Sequence, residues 1–456
     1  MSNILLHLKD FIGVKSVAIV GFGREGQSTY KFLRSYFPQL NICIADVNEA
    51  ISEHGLLKCD DNISFELGED FIEEIKNYGL LFKSPGISFK NYIIPDNQHI
   101  SSQTDLFLHL FSNQTIGVTG TKGKSTTVSM LKFVLDKLNK DAMLIGNIGI
   151  PALDVAHKIK DNTVIVYELS SHQLEFVHNS PHISILLNLY QEHLDHYNSY
   201  EDYRNAKWNI LKYQNANDFF IYCNNEKQLM QDIVNKEFIS KGISYSLNSQ
   251  ADMSYDEGLF RINEDIAIGF NRNEFKLLGN HNINNLMVVL LAGKSLGVDY
   301  DNSLKAAYDF GGLEHRLEFV GEKQGVKFYN DSIATIPQAC IKAMESVDDV
   351  DTLILGGFDR GIDYSMLINY LYNIKPLNLL LVGEVGDIIK KLLTETDYKG
   401  VMLKVKSFDN VILKALELTT KGMSVLLSPA ASSYDMFKNF EERGEKYKAL
   451  IEAIKE

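Results

Sequence analysis

A glycine-rich segment in the second quarter of the chain carries the residue types of a nucleotide phosphate loop. Residues 117–126 read GVTGTKGKST and lie between a short apolar run and a longer helix-like stretch. Backbone N–H groups of such a loop hold phosphate oxygens, and the dipole of the following helix adds to the attraction. In this chemistry Lys124 contacts the β- and γ-phosphates and Ser125 ligates magnesium. The match is not strict, because Val118 stands five positions before Gly123, but the functional end of the loop is intact.

Two further side chains follow apolar runs and could ligate a metal ion. Glu168 closes the run 164–167, and burial of a carboxylate is costly unless a cation compensates it. His193 follows the run that ends at Asn188. A histidine in such a loop is more often structural, but beside a phosphate loop we interpret it as a ligand. Together these residues predict a site for magnesium and a nucleoside triphosphate.

The first glycine loop along the chain, at residues 21–26, allows three interpretations. Its glycines permit a tight turn and close approach of the backbone to a diphosphate at a helix N-terminus. Asp46 lies twenty residues beyond Gly26, where a dinucleotide-binding fold places its ribose-binding acid. The ligand could be NAD or another diphosphate-bearing molecule, because the glycines do not identify it. The loop could also be a turn without a ligand, and residues 84–86 (SPG) are by themselves only a turn signal.

The elements that must position these residues are short apolar runs, which alternate with helix-length amphipathic stretches. The predicted buried strands are 16–21, 41–46, 115–119, 163–169, 182–188, 352–356, 378–383 and 424–428, and predicted helices include 27–35, 126–140 and 283–296. Strand then helix, repeated, predicts an α/β fold with mainly parallel sheets. Ligands of such sheets lie in the loops after the strands. Three clusters of these loops predict three domains, at residues 1–110, 111–312 and 313–456.

Composition excludes several classes of protein. Among the 456 residues, 45 are basic and 59 acidic, which gives a net charge of −14 and argues against a nucleic-acid-binding protein. The four cysteines are scattered and form no CxxC pair, so neither a cysteine zinc site nor a disulfide scaffold is expected. We find no secretory signal and no apolar run of about 18 residues. A cytoplasmic protein without a membrane partner is therefore expected.

Five motifs in this chain resemble those of the Mur ligases, the ATP-dependent amide ligases of peptidoglycan precursor synthesis. They are residues 120–126 (GTKGKST), 146–149 (GNIG), 168–171 (ELSS), 192–195 (EHLD) and 279–282 (GNHN), in the family's order. The resemblance extends from Ser16 to about Leu450 and is greatest to the MurD branch, which adds glutamate to UDP-N-acetylmuramoyl-alanine. It implies a Rossmann-like N-terminal domain, a central phosphate-loop ATPase domain and a Rossmann-like C-terminal domain.

The resemblance implies ATP and Mg²⁺ as cofactors. The implied ATP-binding residues are Gly120, Thr121, Lys122, Gly123, Lys124, Ser125, Thr126, Asn282, Asn285, Arg316 and Asp331. The implied metal ligands are Ser125, Glu168, His193 and Lys207, the last as a carbamate formed by its neutral amine and carbon dioxide. By position alone, Lys207 would be a solvated helix lysine. The implied catalytic residues are Lys124, Glu168, His193, Lys207 and Arg316, where Arg316 stabilises the transferring phosphoryl group once the domains close.

The resemblance also reassigns the first glycine loop from a dinucleotide to the UDP group of the substrate. The implied substrate-binding residues are Gly23, Arg24, Asp46, Ser84, Asn147, Thr335, Arg360, Ser433 and Phe440. Among them, Arg360 and Ser433 would bind a glutamate carboxylate, for which a guanidinium is well suited. The implied substrates are UDP-N-acetylmuramoyl-L-alanine and glutamate, joined through an acyl phosphate. A monomer is expected.

One position departs from the family pattern. Residues 330–336 read NDSIATI, and Ile333 stands where MurD enzymes usually carry a lysine. One cation near the substrate carboxylates is therefore absent, which leaves open whether D- or L-glutamate is the acceptor.

Three further alternatives are an NAD-linked oxidoreductase, which leaves the phosphate loop unexplained, a motor or regulatory ATPase, and a folylpolyglutamate synthetase. The last two do not account for the first glycine loop.

Overall fold

Two compact units make up the chain in the computed structural model, which describes residues 2–13, 15–90, 92–147, 150–192, 196–236, 238–247, 250–263 and 266–454. One unit contains Met1–Phe275 and Asn280–Phe310, and the other contains Lys276–Gly279 and Gly311–Glu456. The first unit holds two sheets and the second holds one. The parallel-dominated sheets confirm the predicted α/β class, whereas the division into three domains stays a prediction.

The first sheet is entirely parallel. Its strands are β1 (Val17–Val20), β2 (Ile42–Asp46), β3 (Ile63–Leu67), β4 (Leu80–Lys83) and β5 (His99–Ser101), and the accompanying helices are α1 (Ser2–Ile12), α2 (Arg24–Tyr36), α3 (Phe71–Glu74) and α4 (Gln103–Phe111). The strand order is β3-β2-β1-β4-β5. Because the strands are parallel, the loops that follow β1, β2 and β4 meet at one edge of the sheet.

The second sheet carries the phosphate loop. Its strands are β6 (Thr115–Thr119), β7 (Ala142–Gly146), β8 (Val164–Glu168), β9 (Ile183–Leu186), β10 (Phe219–Cys223), β11 (Lys241–Leu247), β12 (Met253–Asp256), β13 (Leu259–Ile262) and β14 (Ile266–Gly269). Its helices are α5 (Lys124–Lys137), α6 (Ala152–Val155), α7 (Ser171–Leu174), α8 (Tyr200–Lys212), α9 (Lys227–Asn235), α10 (Asn280–Ser295) and α11 (Tyr300–Tyr308). The order is β14-β13-β12-β11-β10-β9-β6-β8-β7. Only the β12–β14 meander is antiparallel, so β6, β7 and β8 direct their carboxyl ends to the same edge.

The third sheet forms the second unit. Its strands are β15 (Glu318–Lys323), β16 (Val326–Asn330), β17 (Val350–Gly356), β18 (Asn378–Val382), β19 (Met402–Lys404) and β20 (Ser424–Leu427), and its helices are α12 (Pro337–Met344), α13 (Ser365–Asn373), α14 (Gly383–Thr394), α15 (Val411–Leu418) and α16 (Phe440–Glu452). The order is β15-β16-β20-β17-β18-β19, in which only the β15–β16 pair is antiparallel. Across the described residues, no helix combines the length and the apolar character needed to cross a membrane.

All eight predicted strands are present, with bounds that differ by a few residues at most. The predicted helices start too late: α5 begins at Lys124 and α10 at Asn280. The backbone of Gly123 is left-handed and forms the N-cap of α5, so the helix starts directly after this glycine and includes the functional lysine and serine in its first turn.

Helix α4 joins the two sheets of the first unit through buried aromatic side chains. The Phe107 ring meets the Tyr167 ring of β8 edge to face, with centroids 5.5 Å apart, and both side chains are fully buried. The Tyr167 hydroxyl lies 3.1 Å from Thr104 Oγ1. Both rings belong to one apolar core that also contains Ile19 of the first sheet and Leu186 of the second. Packing at α4 therefore fixes the glycine loop of one sheet relative to the phosphate loop of the other.

We expect Phe107→Ala to lower the free energy of unfolding of the first unit by about 3–5 kcal/mol, because it removes apolar contacts and leaves a cavity. Urea denaturation followed by circular dichroism would measure the change. The control, Ile93→Ala, removes a side chain that is 81% exposed and should change the free energy by less than about 0.5 kcal/mol. A loss for Phe107→Ala no larger than that of the control would contradict this account of the core.

Candidate active site

The backbone of the phosphate loop depends on a glycine at its last position. Gly123 has a φ of +88°, in the left-handed region that favours glycine. A Cβ atom there would also lie 3.0 Å from Asn285 Oδ1 and 3.3 Å from Leu187 Cδ1. The loop can therefore turn tightly from β6 into α5, which leaves the N–H groups of the first helical turn available to an anion.

The two functional side chains of the first helical turn are directed to different groups. Lys124 Nζ donates to the carbonyl oxygens of Gly120, at 2.9 Å, and Thr121, at 3.1 Å. Ser125 Oγ donates to Glu168 Oε1 at 3.2 Å. The ammonium group thus lies on the loop itself, and the hydroxyl group lies at the carboxyl end of β8.

The Glu168 carboxylate is fully buried. Its Oε1 also accepts a hydrogen bond from Asn147 Nδ2 at 3.2 Å. Its Oε2 has no hydrogen-bond partner among the described residues. An orphaned carboxylate oxygen in the interior is costly without a cation, and the carboxylate, hydroxyl and amide oxygens here are the donor types that Mg²⁺ uses. The residues present therefore fit a magnesium ion.

Lys207, on α8, is not the solvated lysine that its position alone suggested. Its side chain is 2% exposed, and Nζ donates to Gly120 O at 3.0 Å. Nζ also lies 5.0 Å from the centroid of the Tyr203 ring. Burial is the main cause that holds the pKa of Lys207 well below its usual range, and the positive charge of Lys124 lowers it further. The neutral amine is thereby favoured, and this is the form that reacts with carbon dioxide.

The phosphate loop is fixed from one side by residues that the sequence did not single out. The Asn188 side chain accepts from Lys122 N at 2.8 Å and donates to Lys122 O at 3.0 Å. The Thr121 hydroxyl lies 2.9 Å from the Tyr203 hydroxyl and accepts from Tyr190 N at 2.9 Å. Asn188 follows a strand, so its position could have suggested this role, whereas no local pattern distinguishes Tyr203.

Helix α10 supports the loop from another side. Asn285 is buried, and its Oδ1 accepts from Thr127 Oγ1 at 3.1 Å. Its Nδ2 donates to Asn282 Oδ1 at 2.9 Å. Asn285 thus contacts the start of α5, and the adenine-side role of both asparagines stays a prediction. Thr126 is the third residue of α5.

His193 lies outside the described residues, so the structure does not place this predicted metal ligand. The preceding residue, Glu192, is described, and its Oε1 lies 2.6 Å from Lys122 Nζ. The segment that leads to His193 therefore starts beside the phosphate loop.

The predicted substrate residues of the first sheet line one cleft of about 460 Å³, together with Asn147. The cleft residues named from the sequence are Gly23, Arg24, Asp46, Ser84 and Asn147. Arg24 is the first residue of α2 and is exposed, so a cationic side chain and a helix N-terminus share the cleft. Asn147 also donates to Glu168, which connects the cleft to the buried carboxylate.

Two of these cleft residues also shape the glycine loop. Asp46 accepts from Phe22 N through Oδ2 at 2.8 Å and from Asn48 N through Oδ1 at 2.9 Å. Ser84 Oγ donates to Gly21 O at 2.6 Å. Their polar groups thus hold the loops after β1, β2 and β4 together at the edge of the cleft.

In the second unit, Arg316 lies between two residues with left-handed backbones. His315 has a φ of 62° and Leu317 a φ of 45°, and Arg316 itself is exposed. Asp331 is buried and accepts from Ser428 Oγ at 2.8 Å and Leu317 N at 3.2 Å. Its burial raises the pKa of Asp331 to about 7. The hydrogen bond from Leu317 N therefore joins the turn that carries Arg316 to the carboxylate of Asp331.

The predicted amino-acid residues belong to neighbouring loops of the third sheet. Phe358 N donates to Ser432 O at 2.9 Å, which sets the loop of Arg360 beside the loop of Ser433. Ser433 is buried, whereas Arg360 is exposed. Thr335 lies in the loop after β16, and Phe440 is the first residue of α16. Both side chains are half-buried.

Arg443, on α16, is a buried cation that the sequence analysis missed. Its guanidinium donates to Ser332 O at 2.8 Å, Ser332 Oγ at 2.9 Å and Ala431 O at 3.0 Å. Burial lowers the pKa of Arg443 to about 10, so it is charged at neutral pH. It holds the loop after β16 against the loop after β20, and its place within a helical pattern gives no sign of this.

Comparison with known proteins agrees with this arrangement. Residues 118–293 match the model of the Mur ligase middle domain. The UDP-N-acetylmuramoylalanine–D-glutamate ligase of Acetivibrio thermocellus is 33% identical over 475 residues and is matched over 100% of both chains. The enzyme of the same name from Clostridium tetani is 32% identical, over 97% of this chain and 98% of that protein.

Solved structures share the fold. A UDP-N-acetylmuramoyl-L-alanyl-D-glutamate–2,6-diaminopimelate ligase superposes with a TM-score of 0.57 at 18% identity, over 90% of this chain and 92% of the other. The MurF ligase of Thermotoga maritima in complex with ADP gives 0.54 at 16% identity, over 96% and 93%. With relatives above 30% identity matched along its whole length, the chain belongs to the Mur ligase family, in the branch of the UDP-N-acetylmuramoylalanine–D-glutamate ligases.

Proposed function

We propose that this chain uses ATP to join D-glutamate to the alanine carboxylate of UDP-N-acetylmuramoyl-L-alanine. The observation that carries the proposal is the hydrogen-bonded series Ser125–Glu168–Asn147. Ser125 belongs to the phosphate loop and Asn147 to the cleft of the first sheet, so one buried carboxylate connects a nucleotide site to a site for a diphosphate-bearing substrate. The names of the relatives supply the identity of the substrates.

The chemistry requires activation of a carboxylate. An oxygen of the alanine carboxylate attacks the γ-phosphorus of ATP, ADP leaves, and an acyl phosphate forms. The amine of glutamate then attacks the acyl carbon, and inorganic phosphate leaves as the amide forms. Lys124, at the loop, would neutralise charge that develops on the transferred phosphoryl group.

The proposed metal is Mg²⁺, as two ions. Ser125 and Glu168 would hold one ion and His193 the second, with the carbamate of Lys207 as a further magnesium ligand. When bound, the ions would supply electrostatic stabilisation of the phosphate charge. The orphaned Oε2 of Glu168 supports this assignment. The neutral amine favoured at Lys207 supports the carbamate.

In the first unit, the proposed UDP site is the cleft lined by Gly23, Arg24, Asp46 and Ser84. Arg24 and the N-terminus of α2 would attract the diphosphate. In the second unit, we propose that Arg316 and Asp331 bind ATP and that Arg360, Ser433, Thr335 and Phe440 bind glutamate.

Release of phosphate from ATP, measured with UDP-N-acetylmuramoyl-L-alanine and a panel of amino acids, tests the activity and its acceptor. We expect release with D-glutamate alone. Preference for L-glutamate would contradict the D-assignment and make Ile333 part of a change in specificity. If folded protein with magnesium and bicarbonate released no phosphate with any amino acid, the ligase proposal would be wrong.

In the same assay, Lys124→Ala should abolish ligation, because it removes the ammonium group from the phosphate loop. The matched control is Lys132→Ala, two turns further along α5, where Lys132 pairs with Asp136 on the helix surface. The control should keep its activity within about twofold, as expected for a surface pair. Activity of Lys124→Ala within about tenfold of the parent protein would contradict the assignment of the loop.

The carbamate at Lys207 can be observed directly. With ¹³C-labelled bicarbonate, the protein should show a carbamate carbon resonance that is absent in Lys207→Ala and retained in Lys212→Ala, since Lys212 is exposed on the same helix. Lys207→Ala should also lose ligation. An unchanged carbamate spectrum in Lys207→Ala would contradict the assignment to this residue.

The raised pKa of Asp331 predicts a pH dependence of stability. The folded state holds the Asp331 proton more tightly than the unfolded state, so this group favours folding below pH 3.8, and its contribution is lost as pH rises towards 7. Relative to the parent protein, Asp331→Asn should therefore gain stability from pH 4 to pH 7.5, by roughly 4 kcal/mol at most. Denaturant unfolding at both pH values would measure it.

Asp349→Asn is the matched control of opposite sign. Its partners Lys327 and Ser424 lower the pKa of Asp349 against the effect of its burial, so the charged carboxylate stabilises the folded state above pH 3.8. This contribution is lost only as pH falls below 3.8, so Asp349→Asn should change little relative to the parent between pH 4 and pH 7.5 and should regain relative stability only in more acidic solution. If the two variants showed the same trend, the environment assigned to Asp331 would be wrong.

A further inference from the structure

Two histidines and one aspartate of the first unit lie together and have no part in the proposed ligase site. His99 starts β5, Asp105 lies in the first turn of α4, and His178 follows α7. One donor atom from each of the three residues lies within 4.8 Å of the other two. The two imidazole rings have centroids 4.7 Å apart and an interplanar angle of 36°. Three separate elements thus bring two nitrogen donors and one oxygen donor to one place.

Asp105 is the fixed member of this cluster. It is fully buried, and its Oδ1 accepts from His178 N at 2.6 Å and Asn179 Nδ2 at 3.0 Å. Its Oδ2 accepts from Ser101 Oγ at 3.0 Å and lies 3.1 Å from His178 Nδ1. These hydrogen bonds hold the carboxylate in one orientation within the cluster.

The His178 ring already faces the Asp105 carboxylate, with Nδ1 3.1 Å from Oδ2. In the tautomer that carries its proton on Nε2, Nδ1 keeps a lone pair. One nitrogen donor and one carboxylate oxygen are then directed to the same place. The His178 side chain is 41% exposed, which gives an ion a route from solvent.

His99, the second histidine of the cluster, is half-buried, and its ring lies against that of His178. Only a neutral imidazole can ligate a metal. Two cationic imidazoles this close would repel each other, whereas a shared divalent ion would remove the repulsion and neutralise the surplus charge of the aspartate.

We propose that His99, His178 and Asp105 form a binding site for one divalent transition-metal ion of the zinc class. Two imidazole nitrogens with one carboxylate oxygen suit Zn²⁺ and similar ions, whereas Mg²⁺ favours sites in which most donors are oxygen atoms. Zinc–nitrogen bonds of about 2.1 Å place tetrahedral donors about 3.4 Å apart. Binding would therefore draw the exposed His178 ring towards His99, while Asp105 stays fixed.

The same unit offers a matched control. His182 Nδ1 lies 2.7 Å from Asp218 Oδ1, and the His182 side chain is 31% exposed. This pair therefore has the same carboxylate–imidazole contact and a similar exposure. Within the described part of the chain, it belongs to no group of three donors, so it tests whether a lone histidine–aspartate pair is enough.

The experiment is a titration of the full chain, stripped with chelator, with Zn²⁺ in the presence of millimolar Mg²⁺, followed by equilibrium dialysis and metal analysis. The parent protein and His182→Ala should bind the same number of zinc ions. His178→Ala and His99→Gln should each bind one ion fewer, with affinity for that ion at least about 100-fold weaker. The number of bound zinc ions is compared between variants because a second group of donors also lies close together, formed by Glu314, His315 and Glu445 of the second unit. Any zinc that this group binds would be the same in every variant.

Cobalt(II) gives a second readout that does not depend on counting ions. The parent protein and His182→Ala should show the visible absorption of a low-coordinate cobalt–imidazole centre, and His178→Ala and His99→Gln should lack it. Equal zinc stoichiometry and equal cobalt spectra in all four proteins would overturn the proposal. So would an equal loss in His182→Ala, because the effect would then not be specific to the cluster.

Discussion

The buried carboxylate of Glu168 is the group on which the arrangement of the first unit depends. A charge without solvent must be compensated by hydrogen bonds or by a cation, and here Ser125 and Asn147 both donate to the same oxygen. The carboxylate thereby holds the first turn of α5 and the wall of the substrate cleft in a fixed relation. A cation that satisfied the second oxygen would act on both groups at once, so the proposed nucleotide site and the proposed UDP cleft would be coupled through this carboxylate.

Two buried lysines show how the same residue type acquires different chemistry. Lys83 lies 2.9 Å from Glu175, and this carboxylate opposes the effect of burial on the pKa of Lys83. Lys207 has no ion pair among the described residues, and Lys124 adds a positive charge nearby. The first lysine therefore serves as a structural cation between β4 and the segment after α7. For the second, burial at the phosphate loop lowers the pKa and favours the neutral amine.

Local patterns were sufficient to predict eight of the twenty described strands and the turn that leads from β6 into α5, because apolar runs and glycines report on the backbone around them. The bounds of α5 were less well predicted, since the helix starts directly after the left-handed Gly123, and a glycine in sequence does not show which backbone conformation it takes. The burial of Lys207 and Arg443 and the contact of the Tyr203 hydroxyl with Thr121 of the phosphate loop could not be predicted. They depend on residues far apart in the chain, and a lysine or arginine in an amphipathic helix has the same pattern whether its end is solvated or enclosed.

The loop that carries Ile333 shows what the departure from the family pattern changes. Its backbone is held independently of the side chain, because Ile333 N donates to His315 O at 3.1 Å and Arg443 donates to Ser332 O at 2.8 Å. Replacement of a lysine by isoleucine therefore removes a flexible cation but keeps the turn. Arg443 places a fixed, buried positive charge behind the same loop, and burial lowers its pKa only to about 10. A substrate carboxylate in this unit would thus meet a rigid positive potential, and discrimination between glutamate stereoisomers would depend on the shape of the two loops more than on a mobile ammonium group.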